Sequence, residues 1–470
     1  MKKNKLHPLI TGTLILTLTG LASRLIGFFY RIYLARLFGE EGMGIYQLIG
    51  PVLSLSFSLT AAGYQTAISK LVAENVARQK HHSFRPMLAG LSISLPLSLL
   101  CNLLIYHFSD FIAVTFLLEV RTAPMLRVLS FSIPVVAVHA CINGYFYGIK
   151  KTGVPAISQL LEQCIRVGCV FCMSTYALSK SASLTINVAV LGLVIGEFGS
   201  MLVSVIAMYV VLWRPANHLR QASIAPMDAC SPSSQQINPL SIPRLSGSQH
   251  IYRSLMGMVL PLTANRIVLN LLQSVEAVSI PAKLRLYGYD NATALSVYGV
   301  LTGMAMPLIF FPNALTSSVS VLLLPMISEA YALKDMNKVK KYTLQTIKLC
   351  TLMGVVCMSV FLLLGKWVGS HLFHSDLAGH FIMTLGFLCP FLYLDTTLSS
   401  ILQGLGMASR IFVMNVTSLL VRLGFVFRAV PVFGITGYLW GILASQILLS
   451  AMYLICLLSM KNVLRSTAAR

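Results

Sequence analysis

The sequence predicts an all-α polytopic membrane protein of about twelve transmembrane helices in two parallel six-helix lobes, and three observations predict it. The 470 residues are 56% hydrophobic and only 10% charged, with a mean hydropathy of +0.78. Apolar runs of about 20 residues, the length that crosses a bilayer, recur from end to end between short polar breaks. The two halves also echo one another at a shift of 256 residues. Strands of a transmembrane barrel would be shorter and would alternate in polarity, which excludes that class.

The first run, 9–37, follows Lys2, Lys3 and Lys5 as a signal peptide would. No small-residue cleavage site interrupts it before Arg24 and Arg31, so it reads as a retained span. Spans follow at 44–64, 86–107, 122–147, 153–178 and 184–212, then at 255–281, 293–325, 343–366, 378–404, 409–428 and 434–459. The run 293–325 exceeds one crossing, and Pro307, Pro312 and Pro325 predict kinks in it. Pro51, Pro134, Pro261 and Pro390 predict bends elsewhere, while Gly20, Gly27, Gly299 and Gly303 permit close helix approach. The chain divides into a first lobe at 1–213, a flexible cytoplasmic linker rich in Ser, Pro and Gln at 214–252, and a second lobe at 253–470.

Lysine and arginine number 35 against 14 aspartates and glutamates, a formal net charge of +21. These cations fall in alternate breaks rather than along one soluble domain, so they specify membrane orientation and not a nucleic-acid partner. The lysine-rich start, Lys70 to Arg85, Lys150 and Lys151, Arg214 to Arg253, Lys334 to Lys341, Arg410 and the end of the chain share one side, and Glu40, Glu41, Asp110 and Glu119 mark the other. A multi-pass protein of the cell membrane with both termini cytoplasmic follows. Nine of the ten cysteines lie in apolar runs and only Cys230 in a polar stretch, which is not a disulfide framework. Cys169 and Cys172 have CxxC spacing but neither a thioredoxin-like context nor a second ligand pair, and they read as small packing residues. His81 and His82 have no other ligands nearby, so no metal site is expected. The absence of a P-loop, an HExxH and a GxSxG motif predicts no enzyme and no cofactor.

The repeat places GIKKTGVPAISQLLEQCIRVG (148–168) over GLGMASRIFVMNVTSLLVRLG (404–424), with Gly148, Arg166 and Gly168 over Gly404, Arg422 and Gly424. The same shift sets His139 over Asp395, and GYQTAISKLVAE (63–74) echoes VLLLPMISEAYA (321–332) at a slightly different one. Six spans per half make the repeats parallel about an axis along the membrane normal, an arrangement in which cargo sits between the halves.

The charges inside the spans carry the chemistry. Arg24 and Arg31 lie seven residues apart, nearly two helical turns, so both guanidiniums point one way from one helix. A cation at mid-bilayer costs about 2.5–3.5 kcal/mol on insertion scales, so these arginines require a cavity or partner, and a cationic wall suits an anionic cargo. Span seven presents Arg266, Asn270, Gln273 and Ser274 on one face, either a cavity wall or a polar seam between helices, with Glu276 at its edge to neutralise a cation or accept a proton. Span five carries Gln159, Glu162, Gln163 and Arg166, where Glu162 and Arg166 form either a site or a self-neutralising pair. Glu197 and Asp395 are lone acids at membrane depth, each a candidate proton or sodium carrier, and His139 reads as a helix-contact histidine.

SRLIGFFYRIYLARLFGEEGMGIYQLIGP, AISKLVAE, PLTANRIVLNLLQSVEAVSIPAKL and ILQGLGMASR resemble the polysaccharide-transporter branch of the multidrug/oligosaccharidyl-lipid/polysaccharide exporter superfamily. Within it they resemble the stage V sporulation protein B group, which is similar to the lipid II flippase MurJ. The resemblance implies alternating access that moves an undecaprenyl-diphosphate-linked sugar precursor, lipid II for spore-cortex peptidoglycan, from the inner to the outer leaflet. It maps the Ser-Arg pair of the MurJ first helix onto Ser23 and Arg24, and an acid of the seventh onto Glu276. Substrate-binding candidates are then Arg24, Arg31, Arg266, Asn270 and Gln273, and coupling candidates are Glu276, Glu162, Arg166, Glu197 and Asp395. The implied partners are the lipid-linked oligosaccharide diphosphate, membrane lipids and peptidoglycan polymerases. A MATE-type drug or cation antiporter would instead favour an acidic and aromatic cavity, and a non-transporting scaffold for envelope synthesis would not depend on Arg24 or Arg266.

Overall fold

The computed structural model describes residues 8–77, 84–180, 185–222, 246–333 and 335–468. Lys2, Lys3, Lys5, Arg78, Lys80, His81, His82, Cys230, Arg244, Lys334 and Arg470 lie outside them, as does 223–245 of the expected linker. On either side of that gap the backbone is helical, through Ala222 and again from Ser246.

The helix Pro8–Leu48 is broken at Gly39, whose φ of 70° and ψ of −174° are open to a residue without Cβ. Tyr30 and Leu34 before the break and Tyr46 and Gln47 after it line the same cavity, so the chain turns back there. This divides the 61-residue apolar stretch Leu16–Val76 into α1 (8–38) and α2 (40–77). Next come α3 (Arg85–His107), α4 (123–148), α5 (Gly153–Ser179) and α6 (Asn187–Ala222). The second set is α7 (Ser246–Tyr287), α8 (291–332), α9 (Met336–Val368), α10 (376–404), α11 (Ala408–Arg428) and α12 (Ile435–Ala468). Two spans are bent pairs, by 42° between Ser130 and Ser132 in α4 and by 55° between Gly386 and Cys389 in α10. Pro390 starts the second piece of α10, where its missing N–H costs no helical hydrogen bond. In α8 the break falls at 311–312, and Pro312 caps the helix Asn313–Ala332. Pro325 lies inside that helix without ending it.

The repeat seen in the sequence recurs as packing. A Cβ on Gly148 at the end of α4 would strike Val72 of α2, and one on Gly404 at the end of α10 would meet Ile327 of α8. One helix departs from the two-lobe scheme. Leu255 and Val259 in the first half of α7 join the core built by Tyr64, Ile68, Met87 and Ile142 of the first set, whereas Ile280 and Leu284 in its second half pack with α8.

The lobes meet tightly at one membrane face. A Cβ on Gly44 would collide with the Leu295 carbonyl, and one on Gly299 with the Glu40 carbonyl and the Gly44 backbone. Gly303 is crowded by Met43 as expected, but Gly20 has open space and Gly27 has only the Gln163 amide at 4.0 Å. At the same face Arg36 donates to the backbone carbonyls of Leu372 (2.8 Å) and His371 (2.9 Å), and the Asn291 amide donates to Glu119 at 2.9 Å. Gly299→Val should therefore lower stability by about 1–3 kcal/mol through overpacking against backbone. Gly20→Ala should leave it within about 0.5 kcal/mol. Thermal unfolding of the two purified variants in detergent checks the contrast.

Candidate functional site

Between α1, α2, α5 and α8 lies a cavity of about 600 Å³. Three arginines line it, Arg24 and Arg31 from α1 and Arg166 from α5, and among the described residues no aspartate or glutamate does. Arg24 and Arg31 reach it together because the helical repeat stacks residues seven apart on one face. Neither forms an ion pair or a hydrogen bond with another described residue. Arg166 is neutralised within its own helix, where its Nη2 donates to Glu162 Oε1 at 2.5 Å. Ser23 Oγ, Tyr30 OH and Arg166 Nε belong to residues on the cavity wall, are buried, and have no hydrogen-bond partner among the described residues. Buried polar atoms are satisfied in the great majority of cases, so these three mark positions where a ligand or water completes the bonding.

The polar face of α7 divides. Arg266 is exposed and is not among the residues lining the central cavity. Asn270 is a seam residue that donates to the Ser58 hydroxyl at 2.5 Å and to the Ser54 carbonyl at 3.3 Å, and Ser274 is buried and bonds back to the Asn270 carbonyl. Gln273 lines a separate cavity of about 220 Å³ within the second lobe, together with Glu276. Sequence periodicity put these residues on one face; the α2 helix packed against part of it determines which of them meet protein.

Glu276 is only 4% exposed and is held from two helices. Arg422 of α11 donates from Nη2 to Oε2 at 2.7 Å and brings Nε to 2.6 Å from Oε1 without hydrogen-bond alignment, while the Tyr438 hydroxyl of α12 donates to Oε1 at 2.7 Å. Of the two roles the sequence left open for Glu276, the geometry supplies the neutralised cation. Glu197 and Asp395 are not isolated as expected. Glu197 Oε2 lies 3.0 Å from His139 Nε2 and its Oε1 lies 3.9 Å from Arg166, and Asp395 accepts from Gln446 (2.5 Å) and Ser450 (2.6 Å) of α12. His139 and Asp395, which the repeat superposes, thus both reach the last helix of their own lobe. Arg422 was visible only as the repeat partner of Arg166, and no local motif pointed to Tyr438 or Gln446. Among the described residues no group of three or more His, Cys, Asp or Glu is arranged to hold a metal.

The polysaccharide biosynthesis protein family matches residues 9–331, more than half of the chain. The chain belongs to that family. The MatE family matches residues 270–427. "Stage V sporulation protein B" of Bacillus subtilis (strain 168) is 29% identical over 94% of this chain and 82% of the relative. "Lipid II flippase MurJ" of the same organism is 24% identical over 84% of this chain and 73% of the relative. A solved structure of lipid II flippase MurJ in an inward closed conformation shares the fold, with a TM-score of 0.69 and 14% identity over 94% of this chain and 87% of that one. The chain is a polytopic membrane transporter of the multidrug/oligosaccharidyl-lipid/polysaccharide exporter superfamily.

Removing one partner of a buried ion pair strands the other charge. Arg422→Leu should destabilise the protein by about 3–5 kcal/mol, and Arg422→Leu with Glu276→Gln should cost less than that single change. A double-mutant cycle on thermal stability in detergent reads the coupling.

Proposed function

We propose that this protein is a flippase of the cell membrane, with both termini cytoplasmic, that carries an undecaprenyl-diphosphate-linked sugar precursor from the inner to the outer leaflet. The single observation behind this reading is the acid-free central cavity bearing three arginines, two of them without a protein counter-ion. A diphosphate presents adjacent oxyanions that guanidiniums bind through paired, charge-assisted hydrogen bonds. Arg24 and Arg31 thus bind the cargo, and Arg266 is an exposed cation one helical turn before Asn270. The name of one relative makes lipid II the cargo to test first, and the resemblance to the sporulation group implies spore-cortex peptidoglycan as its destination and peptidoglycan polymerases as the enzymes that consume it.

Alternating access accounts for the face where the lobes meet. Arg36, Asn291 and Glu119 tie α1 and the loop before α4 to the second lobe there, so opening that face requires breaking a small set of polar contacts. Burial pushes the Glu119 carboxyl up, but hydrogen bonds from Arg121 and Asn291 outweigh it and hold the group below the usual carboxylate range. The contribution of this contact is therefore present above the ordinary carboxylate pKa and lost as pH falls through the lowered value. A cation exporter of MATE type is the second reading, supported by the match at 270–427. It is disfavoured because its cargo would meet three arginines and no acid.

Arg31→Ala and Arg24→Ala should each slow transport about ten- to a hundredfold, the loss expected when a hydrogen-bonded charged group is removed. Lysine at either position should retain part of the rate. The assay is reconstitution in liposomes with labelled lipid-linked precursor and a leaflet-selective probe. Full transport by Arg24→Ala, or full complementation of a spore-cortex defect at normal membrane levels, would defeat the reading.

A further inference from the structure

Beside the central cavity, inside the first lobe, lies a second one of about 380 Å³ with different chemistry. Its wall includes Gln65 of α2, His139 and Asn143 of α4, Gln159 and Glu162 of α5 and Glu197 of α6, and among the described residues no arginine or lysine lines it. The two cavities are adjacent, because Gln159 lines both and because Glu162 faces one while its ion-pair partner Arg166 faces the other. Several polar groups on this wall lack protein partners. Neither the Gln65 nor the Gln159 side chain makes a hydrogen bond to another described residue, and His139 Nδ1 is buried and unpaired. Free amides supply donors and acceptors together, and each carboxylate oxygen keeps at least one lone pair beyond the partner it meets.

We propose that this cavity is a saccharide subsite, which receives the first sugar unit of the carrier while Arg24 and Arg31 hold the diphosphate next to it. The inference rests on the flippase reading and adds to it where the sugar goes and which side chains read it. A diphosphate would find no arginine or lysine on this wall and would face Glu162 and Glu197, whereas a neutral pyranose presents hydroxyls that both donate and accept, matching amides and carboxylates. The sugar is bonded directly to the diphosphate, so a headgroup anchored by the arginines has its first ring at the Gln159 boundary. The volume falls within the range of small-ligand pockets. Unpaired amides in such a wall also explain discrimination, since a carrier without the sugar leaves them unsatisfied.

The test compares a long-chain polyprenyl diphosphate bearing one neutral hexose with the same diphosphate bearing none, in liposomes containing wild type, Gln159→Leu, Gln65→Leu or Arg31→Ala. Wild type should move the hexose carrier faster. Each glutamine variant should reduce that preference about two- to tenfold, the loss of one hydrogen bond or two, with thermal stability confirming that it folds. Arg31→Ala should slow both carriers. If wild type moves neither carrier, the flippase reading fails and this inference with it. If Arg31→Ala slows both carriers but the glutamine variants keep the wild-type preference, the flippase reading stands and the subsite is overturned. Equal slowing of both carriers by the glutamine variants would also overturn it, by assigning the cavity to a coupling ion instead.

Discussion

A charge in hydrocarbon must be paired, hydrated or displaced, and this constraint places the charged side chains of the protein. Glu162, Glu197, Glu276 and Asp395 sit at membrane depth, and each is met by donors from a neighbouring helix or turn. Arg166 and Arg422 are taken up by two of those acids. Arg24 and Arg31 are left over, and the cavity is where they are left. Its positive character arises because the acids are spent elsewhere in the lobes, not because arginines are numerous.

The two lobes solve the same problem in different ways. Arg166 and Arg422 occupy equivalent places in α5 and α11, yet the first is neutralised by an acid four residues earlier on its own helix and the second by Glu276 on α7. The position four residues before Arg422 is Ser418, which bonds the Ser445 carbonyl instead. One consequence is mechanical. The pair in the first lobe leaves α5 free of an ionic tie to α1, while the pair in the second fastens α7 to α11 and draws Gln273 and Glu276 away from the central cavity. The asymmetry leaves the arginine-lined wall on the first lobe and a buried ion pair in the second.

Much of this was legible in the amino-acid order. Span positions follow from apolar length, and α3, α5 and α11 match their expected limits to within a residue. The repeat aligned Gly148 with Gly404, and the structure packs each against a neighbouring helix, since small residues are needed where helix ends cross closely. Less was legible wherever one helix covers another. Asn270 and Arg266 share a face of α7, but Ser54 and Ser58 of α2 engage only the former. Gly20 and Gly303 look alike in sequence, and only Gly303 has a neighbour close enough to need it.

The sequence by itself determined that this chain spans a membrane many times, in two related halves, with arginines in its first span that need an anion or water. Hydrophobic length, charge bias and helical period are local properties, readable without coordinates. The tertiary structure decided which charges cancel. Glu276 and Arg422 are 146 residues apart, and His139 and Glu197 are 58 apart. No local period encodes those distances, because they are set by which helices the packing of the lobes brings side by side.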